Sequence, residues 1–289
     1  MFKSYMALMI AAFLWGTSFV AGKIALTMGN ATTIVLVRFA IASLFLLPFA
    51  IRAWRKIDAR LVGISILIIP ATFLVQFVGL QFTTASNAAV IIGFEPFMVV
   101  LVGWLLWRER PTGVEIVASL LALLGVYLAI GYSADRSLFG PAIILASTVV
   151  VALWLRGSKP FFKRMSEIDF TALTITIGTL FLIPVYLLGN HDKSLNLNPQ
   201  GIGAIAYLSL GCTLLASLLW NYGIARTKSN MSGLFLALEP VFGVVLAALL
   251  MSEQITSMTT LGVALVFASV ALPILAKARN TMPQPELVP

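Results

Sequence analysis

Long apolar runs alternate with short polar segments along almost the whole chain. Ten such runs can be delimited, and each has close to the roughly 20 residues that a helix needs to cross a bilayer. Their approximate bounds are Met6–Leu26, Thr32–Ile51, Leu61–Phe82, Ser86–Trp107, Thr112–Gly131, Phe139–Ser158, Phe170–Leu188, Gly201–Tyr222, Met231–Leu250 and Ser257–Ala276. Strands of a membrane barrel would alternate apolar and polar residues over about ten positions, and these runs do not. The pattern therefore predicts an all-α membrane protein with ten transmembrane helices.

The basic residues fall on alternate sides of the predicted spans. With the N-terminus in the cytoplasm, most of the 19 Lys and Arg residues lie in inner segments, such as 52–60 and 156–164. The outer loops then hold only Arg136 and Lys193. Cytoplasmic loops of membrane proteins carry an excess of Lys and Arg. Both chain termini are therefore predicted to be cytoplasmic, and the number of spans to be even.

One motif occurs twice along the chain. Glu95-Pro96 lies inside the fourth apolar run, and Glu239-Pro240 lies 144 residues later inside the ninth. Residues 1–134 and 135–278 are interpreted as two repeats of five helices each. Residues 279–289 are polar and rich in proline, and are predicted to form a disordered cytoplasmic tail. Because five is an odd number of spans, the second repeat should be inverted relative to the first, as in many transporters.

Composition narrows the classes of function. Of 289 residues, 60% are hydrophobic and only 10% are charged, far below the roughly 25% of a soluble domain. The net charge of +8 is divided among short clusters between the runs, with no basic face carrying interleaved aromatic residues, so no nucleic acid partner is predicted. Cys212 is the single cysteine, which excludes a disulfide framework.

The sequence contains no recognisable catalytic or cofactor-binding motif. It lacks the glycine-rich loop ending in Gly-Lys-Ser/Thr that an ATP motor requires. Its one histidine, His191, falls in a predicted outer loop, so neither a metal cluster nor a Ser-His-Asp constellation is expected in the membrane. We predict no cofactor, no metal site and no enzymatic activity. The first run, Met6–Leu26, exceeds the about 7 to 15 residues of a signal-peptide core, and is predicted to be a retained helix.

Two acidic residues lie near the middle of the predicted membrane. Glu95 and Glu239 stand about nine residues into their spans, or about 13 Å along a helix. A carboxyl group at this depth is costly and marks a functional site by default. Pro96 and Pro240 remove a backbone donor and free the carbonyl group four residues earlier, so both are predicted hinges. Each carboxyl group either titrates protons or contacts substrate, or it only ties the kink to a neighbouring helix and never meets substrate.

Arg38 lies about six residues into the second predicted span. Its depth is within about 4 to 5 Å of that of Glu95, which allows an ion pair between the two helices. Such a pair could act as a latch or as an anchor for an anionic group. The alternative is that Arg38 extends to the outer headgroups.

Aromatic and polar side chains inside the spans complete the candidate site. Trp15 lies about ten residues from either end of its span, which does not suit a belt at the membrane interface. A cavity lined by aromatic rings and a few polar groups suits small amphipathic ligands. Gly16 is predicted either as a hinge or as a point of close helix packing. The further candidates are Ser18, Gln76, Trp154, Trp220 and Asn221.

Several of these residues together resemble a known family, the EamA branch of the drug/metabolite transporter superfamily. The resemblance implies ten helices in two inverted repeats, around a cavity lined mainly by helices one, three, four, six, eight and nine. It also implies secondary transport, commonly export of amino acids or other metabolites across the bacterial inner membrane. The second half departs from the first, since Thr174 and Leu155 stand where Arg38 and Gly16 would recur. The motifs that carry the resemblance are Trp15-Gly16-Thr17-Ser18-Phe19, Arg38-Phe39, Glu95-Pro96, Glu109, Glu239-Pro240 and Glu253.

We therefore expect a secondary transporter that exports small metabolites, with amino acids as the leading class, by rocking of two repeats. Its predicted partners are a small-molecule substrate and the lipid bilayer, and both a monomer and a homodimer are open. The alternative within the same class is a flippase for lipids or lipid-linked sugars. A non-transporting membrane subunit and an intramembrane enzyme are less favoured, because the chain has no room for a soluble domain and no paired catalytic groups.

Overall fold

The chain folds into helices joined by short connections. The computed structural model describes residues 2–108, 110–131, 138–189, 192–227, 235–236, 238–251 and 256–281, and those residues contain no β-strand. The helices of the first half are α1 (Phe2–Ala25), α2 (Ala31–Ala53), α3 (Ala59–Ile68), α4 (Val75–Gln81), α5 (Ala85–Ile92), α6 (Glu95–Trp107) and α7 (Gly113–Gly131). Those of the second half are α8 (Phe139–Ser158), α9 (Glu167–Leu188), α10 (Pro199–Ala206), α11 (Ala216–Arg226), α12 (Glu239–Met251) and α13 (Ser257–Thr281).

Seven helical segments in the described part are long and apolar enough to cross a membrane. The prediction of a multi-pass, all-helical membrane protein is confirmed. Shorter apolar stretches, Gly113–Gly125, Glu239–Met251 and Ser257–Ser269, lie where the fifth, ninth and tenth spans are predicted, so ten crossings remain a prediction. The seven long segments are Phe2–Ala25, Ala31–Lys56, Ala59–Gln81, Ala85–Leu106, Phe139–Lys163, Glu167–Leu188 and Pro199–Arg226.

Some predicted features fall outside the described residues. The first residues of the ninth span, 231–234, are among them, as are His191, Glu109 and Glu253. α13 continues to Thr281, past the predicted start of the tail at Arg279. The remainder of that predicted tail, 282–289, lies outside the described residues.

Side-chain caps fix where several helices begin. Asp58 accepts a hydrogen bond from the Leu61 N–H at 2.8 Å, and Asn198 accepts one from the Gly201 N–H at 2.7 Å. A capping oxygen satisfies one of the N–H groups that have no partner inside a helix, and is worth about 1 kcal/mol. The other caps of this kind are Asn30, Thr84 and Ser166. These polar residues therefore separate the apolar runs into distinct helices.

The third and eighth spans each contain a π-helical segment. Ile69–Leu74 joins α3 to α4, and Tyr207–Leu215 joins α10 to α11. In the first, the Thr72 hydroxyl donates to the Leu67 carbonyl at 2.7 Å, and in the second the Thr213 hydroxyl donates to the Leu208 carbonyl at 2.8 Å. Such bulges widen the helix locally and are frequent at functional sites.

The fourth span is interrupted at its Glu-Pro motif. α5 ends at Ile92, and the Phe94 N–H turns back to the Ile91 carbonyl at 3.0 Å before α6 begins at Glu95. In the second half, the Leu238 N–H bonds to the Phe235 carbonyl at 3.1 Å in the same way before α12 begins at Glu239. The prolines are the second residues of α6 and α12, where a missing N–H is tolerated. The predicted loosening therefore takes the form of a helix break before Glu95.

α1 runs through the centre of the molecule. Of an 18-residue apolar stretch of α1, 67% is buried inside the structure, whereas the corresponding share is 39–50% in the other six long segments. Elsewhere in the bundle, α2 and α9 pack against each other and run antiparallel, since Arg52 contacts Asp169 while Ser43 contacts Thr176. Large apolar side chains such as those of Leu44, Leu105 and Leu180 are exposed on the outer surface, as expected where helices face lipid.

Ion pairs join the two halves at one end of the helices. The Asp169 carboxylate, whose side chain is only 7% exposed, binds Arg52 at 2.8 Å and Lys56 at 2.7 Å. Asp58 binds Arg164 at 2.8 Å. All of these residues belong to segments predicted to be cytoplasmic. The pairs join the end of α2 and the α2–α3 connection to the α8–α9 connection and the start of α9. The two halves are thus fastened to each other at this end.

Candidate substrate site

A central cleft lies between helices of both halves. The space between its walls, including the part that is open to the outside, amounts to about 450 Å³. Glu95 and Glu239 both line it, and most of the remaining wall is apolar. The described lining residues are Trp15, Ser18, Phe19, Thr72, Phe73, Gln76, Ile92, Glu95, Val151, Trp154, Leu155, Leu236 and Glu239. The structure thus brings together six of the nine predicted binding residues.

The two carboxyl groups occupy equivalent places in the two halves. Glu95 is the first residue of α6 and Glu239 the first of α12, and their exposed fractions are 4% and 5%. The N-terminus of a helix favours negative charge, which lowers the cost of placing each carboxyl group there. Among the described residues no basic side chain forms an ion pair with either group. The Glu239 Oε1 atom also has no hydrogen-bond partner in that part of the chain.

Trp15 and Trp154 both line the cleft, but their indole N–H groups differ in hydrogen bonding. The Trp15 Nε1–H donates to the Cys212 carbonyl at 3.0 Å, and its ring packs on that of Trp220 with centroids 5.0 Å apart. The Trp154 Nε1–H is buried and has no partner among the described residues. Because buried donors in native proteins are normally paired, the Trp154 indole is a donor available to a ligand.

Neutral polar groups lie between the aromatic walls. Ser18 donates its hydroxyl to the Trp15 carbonyl at 2.6 Å, and Gln76 is buried beside the same cleft. Thr72 lines the cleft from the π-helical segment and was not among the predicted site residues. The signal that could have found Thr72 is Pro70, which lies two residues earlier and is the second residue of the π-helical segment.

Arg38 does not pair with Glu95, and that prediction is wrong. Its side chain is fully buried, away from the cleft, so the alternative of reaching the headgroups is wrong as well. The Nε atom donates to the Thr213 hydroxyl at 2.5 Å, and the Nη2 atom to the Cys212 carbonyl at 3.3 Å. The π-helical segment offers these acceptors because it departs from regular helical hydrogen bonding. The rings of Phe39, Phe73 and Phe77 lie 5.1–5.3 Å from the guanidinium carbon.

Trp220 and Asn221 lie behind the cleft and do not line it. Trp220 is 1% exposed and supports the ring of Trp15. Asn221 donates to the Thr171 hydroxyl at 2.8 Å and joins α11 to α9. The eighth span thus supplies no described lining residue, contrary to the resemblance, and acts through the Cys212 carbonyl that holds Trp15.

Gly16 lies where α1 crosses α12. A Cβ atom at this position would be 2.6 Å from the Glu239 carbonyl oxygen, so only glycine fits there. Pro240 is packed in turn against the first half, since a Cβ atom on Gly93 would lie 2.9 Å from its Cγ atom. The predicted hinges Gly16 and Pro240 therefore stand at contacts between the two halves, and Pro96 follows the break between α5 and α6.

The comparison with protein families decides the affiliation. The EamA-like transporter family matches the chain over residues 2–131 and again over residues 138–275. The chain belongs to this family. EamA-like proteins are membrane transporters of small molecules, so the predicted affiliation and the general class of function are confirmed.

Relatives of this EamA-like chain extend over its whole length. An uncharacterized transporter of Archaeoglobus fulgidus is 26% identical over 284 residues, covering 93% of this chain and 96% of the relative. The uncharacterized transporter YetK of Bacillus subtilis is 24% identical, covering 95% of this chain and 87% of the relative. A solved crystal structure covers 96% of this chain and 99% of its own with a TM-score of 0.72 and 16% identity, a likeness that shows the fold alone.

The chemistry open to this EamA-like cleft is binding and proton exchange. Within the described ranges, no three His, Cys, Asp or Glu residues cluster closely enough to hold a metal ion. The described walls offer two carboxyl groups, one unpartnered indole N–H and hydroxyl and amide groups between apolar surfaces. Such a set can hold a small amphipathic molecule and release it again.

Proposed function

We propose that this EamA-like protein exports small metabolites, with amino acids as the leading class, across the bacterial inner membrane by alternating access. The observation that carries the proposal is the pair of buried carboxyl groups, Glu95 and Glu239, in one central cleft. Acidic residues inside membrane spans mark substrate pathways and proton relays in transporters. Transport coupled to proton movement through Glu95 is the working hypothesis, and facilitated export is its alternative.

The proposed architecture is ten helices in two inverted repeats, residues 1–134 and 135–278. In its support, α6 and α12 are both 13 residues long and begin at the matching glutamates. The third and eighth spans each contain a π-helical segment with a threonine bonded five residues back. The antiparallel packing of α2 and α9, which would be repeat mates, is what inversion predicts. The family also matches the chain in two successive parts.

In the proposed cycle the two repeats rock against each other around the cleft. Gly16, Pro96 and Pro240 are the proposed hinge points, since they lie where the halves touch or where a helix is broken. The ion pairs of Asp58 and Asp169 fasten the same end of both halves. With both termini in the cytoplasm, these pairs would have to open when the cleft opens inward.

The proposed amino acid would be held by acidic groups at its ammonium end and by hydrogen-bond donors at its carboxylate end. Its ammonium group fits the Glu95 and Glu239 carboxyl groups, since none of the described lining residues is basic. Its carboxylate would accept hydrogen bonds from the Trp154 Nε1–H and from the Gln76 amide. The apolar walls, including Val151 and Leu155, would contact the side chain. This arrangement favours small or apolar amino acids over acidic ones.

The test of the substrate class is transport by the purified full chain in vesicles. A panel of amino acids, organic cations and fluorescent phospholipids is supplied, and flux is followed by mass detection. Saturable flux of neutral amino acids with little flux of acidic ones supports the proposal. Flux of phospholipids without flux of amino acids would overturn it in favour of a flippase.

The role of the carboxyl group is tested with Glu95→Gln under an imposed pH gradient. If Glu95 couples protons to export, the variant loses the acceleration that the gradient gives the wild type. Glu115→Gln is the matched control, because Glu115 caps the exposed start of α7 through Thr112. Unchanged export and unchanged pH dependence in Glu95→Gln would make the carboxyl group structural.

A further inference from the structure

A second groove lies between α3 and the end of α8 with the short helical turn, Lys159–Lys163, that follows it, near the ion-paired end of the molecule. Its volume is about 740 Å³, and its lining includes Arg60, Gly63, Ile64, Leu67, Phe161 and Arg164. A Cβ atom added to Gly63 would meet no atom within 4 Å, so the groove is open along this side. None of these residues lines the central cleft. The groove is therefore a separate feature of the surface.

Two guanidinium groups stand at the rim of this groove. Arg164 binds Asp58 through one nitrogen at 2.8 Å, and its side chain is 45% exposed. Arg60 forms no ion pair with a described residue, and it lies within electrostatic reach of the same carboxylate. One carboxylate thus faces two arginines, which leaves a net positive charge. A guanidinium has five N–H donors, so donors remain for an anion.

The floor of the groove is apolar and extends into the membrane. It is formed by Ile64, Leu67 and Phe161, and Ile64 and Phe161 are themselves buried. From Arg60 to Leu67 the helix advances seven residues, or about 10 Å. The groove therefore offers a charged rim to the headgroup region and an apolar wall to the hydrocarbon. This polarity matches a phospholipid.

We propose that this groove binds an anionic phospholipid. The phosphate accepts hydrogen bonds from Arg60 and Arg164, which suit phosphate oxygens through their forked donors. The first part of an acyl chain lies along Ile64, Leu67 and Phe161. Basic pockets between transmembrane helices bind the headgroups of anionic lipids in other membrane proteins. A soluble anion would gain nothing from the 10 Å of apolar floor, which is why the lipid is the chosen occupant.

The charged rim is tested by native mass spectrometry of the full chain with dioleoyl phosphatidylglycerol or dioleoyl phosphatidylcholine. We expect adducts with phosphatidylglycerol on the wild type, and a fall of about tenfold or more in occupancy for Arg60→Gln with Arg164→Gln. The control is Arg55→Gln with Lys163→Gln, which removes the same charge from the same end outside the groove. Equal losses in both double variants, or no preference for phosphatidylglycerol in the wild type, would overturn the proposal.

A steric variant keeps the test independent of the Asp58–Arg164 ion pair. Gly63→Phe fills the open side of the groove and keeps both arginines. Gly203→Phe is its control, because position 203 on α10 is also free of neighbours within 4 Å. We expect Gly63→Phe to lose phosphatidylglycerol adducts while its melting temperature stays that of the wild type. Gly203→Phe should keep both the adducts and the melting temperature of the wild type. Full retention of adducts in Gly63→Phe would show that the lipid binds elsewhere.

Inorganic phosphate separates a lipid site from a site for soluble anions. Phosphatidylglycerol should raise the melting temperature of the wild type, and inorganic phosphate at the same concentration should not. Equal stabilisation by both would overturn the assignment to lipid. All of these measurements report binding, so they can fail or succeed whether or not the chain exports amino acids.

Discussion

The backbone of Gly16 in α1 rests on the carbonyl oxygen of Glu239, the first residue of α12. A Cβ atom on residue 16 would approach this oxygen to 2.6 Å and the Phe242 Cβ atom to 3.0 Å. Gly243 of α12 is equally close to the backbone of α1, since a Cβ atom on Gly243 would lie 3.1 Å from the Gly16 carbonyl oxygen. The carboxyl group of Glu239 is therefore positioned by a close crossing of α1 and α12.

Gly16→Ala should destabilise the protein, because the added methyl group meets backbone atoms that cannot move aside. Overpacking of this kind costs about 1–3 kcal/mol. Gly203→Ala should instead stabilise the protein, because alanine at an open position inside a helix is more favourable for folding than glycine by about 0.5–1 kcal/mol. Thermal unfolding of both variants in detergent checks the pair. Equal melting temperatures would contradict the close crossing.

Much of the fold could be predicted from local patterns. The apolar runs place the helices, and the interruption of the fourth span just before Glu95 is expected from Pro96, which frees the carbonyl group of Ile92. The central cleft collects Trp15, Gln76 and both glutamates, all of which are predicted site residues. The helices and the break depend on residue type and spacing within one span, and the cleft residues stand out as polar or aromatic side chains inside apolar runs.

The surroundings of Arg38 could not be predicted in this way. Its acceptors, the Thr213 hydroxyl and the Cys212 carbonyl, lie about 175 residues away and exist because a π-helical segment presents them. Neither a proline nor a charged residue marks Tyr207–Leu215 in the sequence. Depth in the membrane suggested Glu95 as the partner, but depth does not say which helix faces are opposed.

Arg38→Lys should lower stability without changing the KM of export. Lysine cannot bond to two acceptors with the geometry of a guanidinium, and a lost hydrogen bond to a charged group costs about 1.5–3 kcal/mol. The KM should stay the same because Arg38 does not line the cleft. Melting temperature and export kinetics are measured together, with Arg55→Lys as an exposed control. A raised KM at an unchanged melting temperature would place Arg38 in the substrate pathway.

The contribution of Asp58 to stability should depend on pH. The Leu61 N–H holds the pKa of this carboxyl group below its usual value, and Arg164 adds to the effect. A lowered pKa in the folded state gives stability that is complete above the unfolded value of about 3.9 and is lost as the pH falls through the folded pKa. The half-exposed ion pair makes the effect small.

Asp58→Asn isolates this charge, because asparagine is also a good N-cap. The wild type should be the more stable protein near neutral pH, and the difference in melting temperature should disappear as the Asp58 carboxylate becomes protonated. Melting curves of both proteins in a series of acidic buffers measure this difference. A difference that is the same at every pH would assign the effect to packing.

Trp15 and Trp154 should respond differently to the same substitution, although both line the central cleft. Trp154→Phe removes an indole N–H that has no partner among the described residues, so stability should hold while the KM of export rises by about two- to tenfold. Trp15→Phe removes the donor to the Cys212 carbonyl and should lower the melting temperature instead. Export kinetics and thermal unfolding of both variants distinguish the roles, and each variant is the control for the other. A loss of stability in Trp154→Phe with an unchanged KM would mean that its N–H serves the fold and not the substrate.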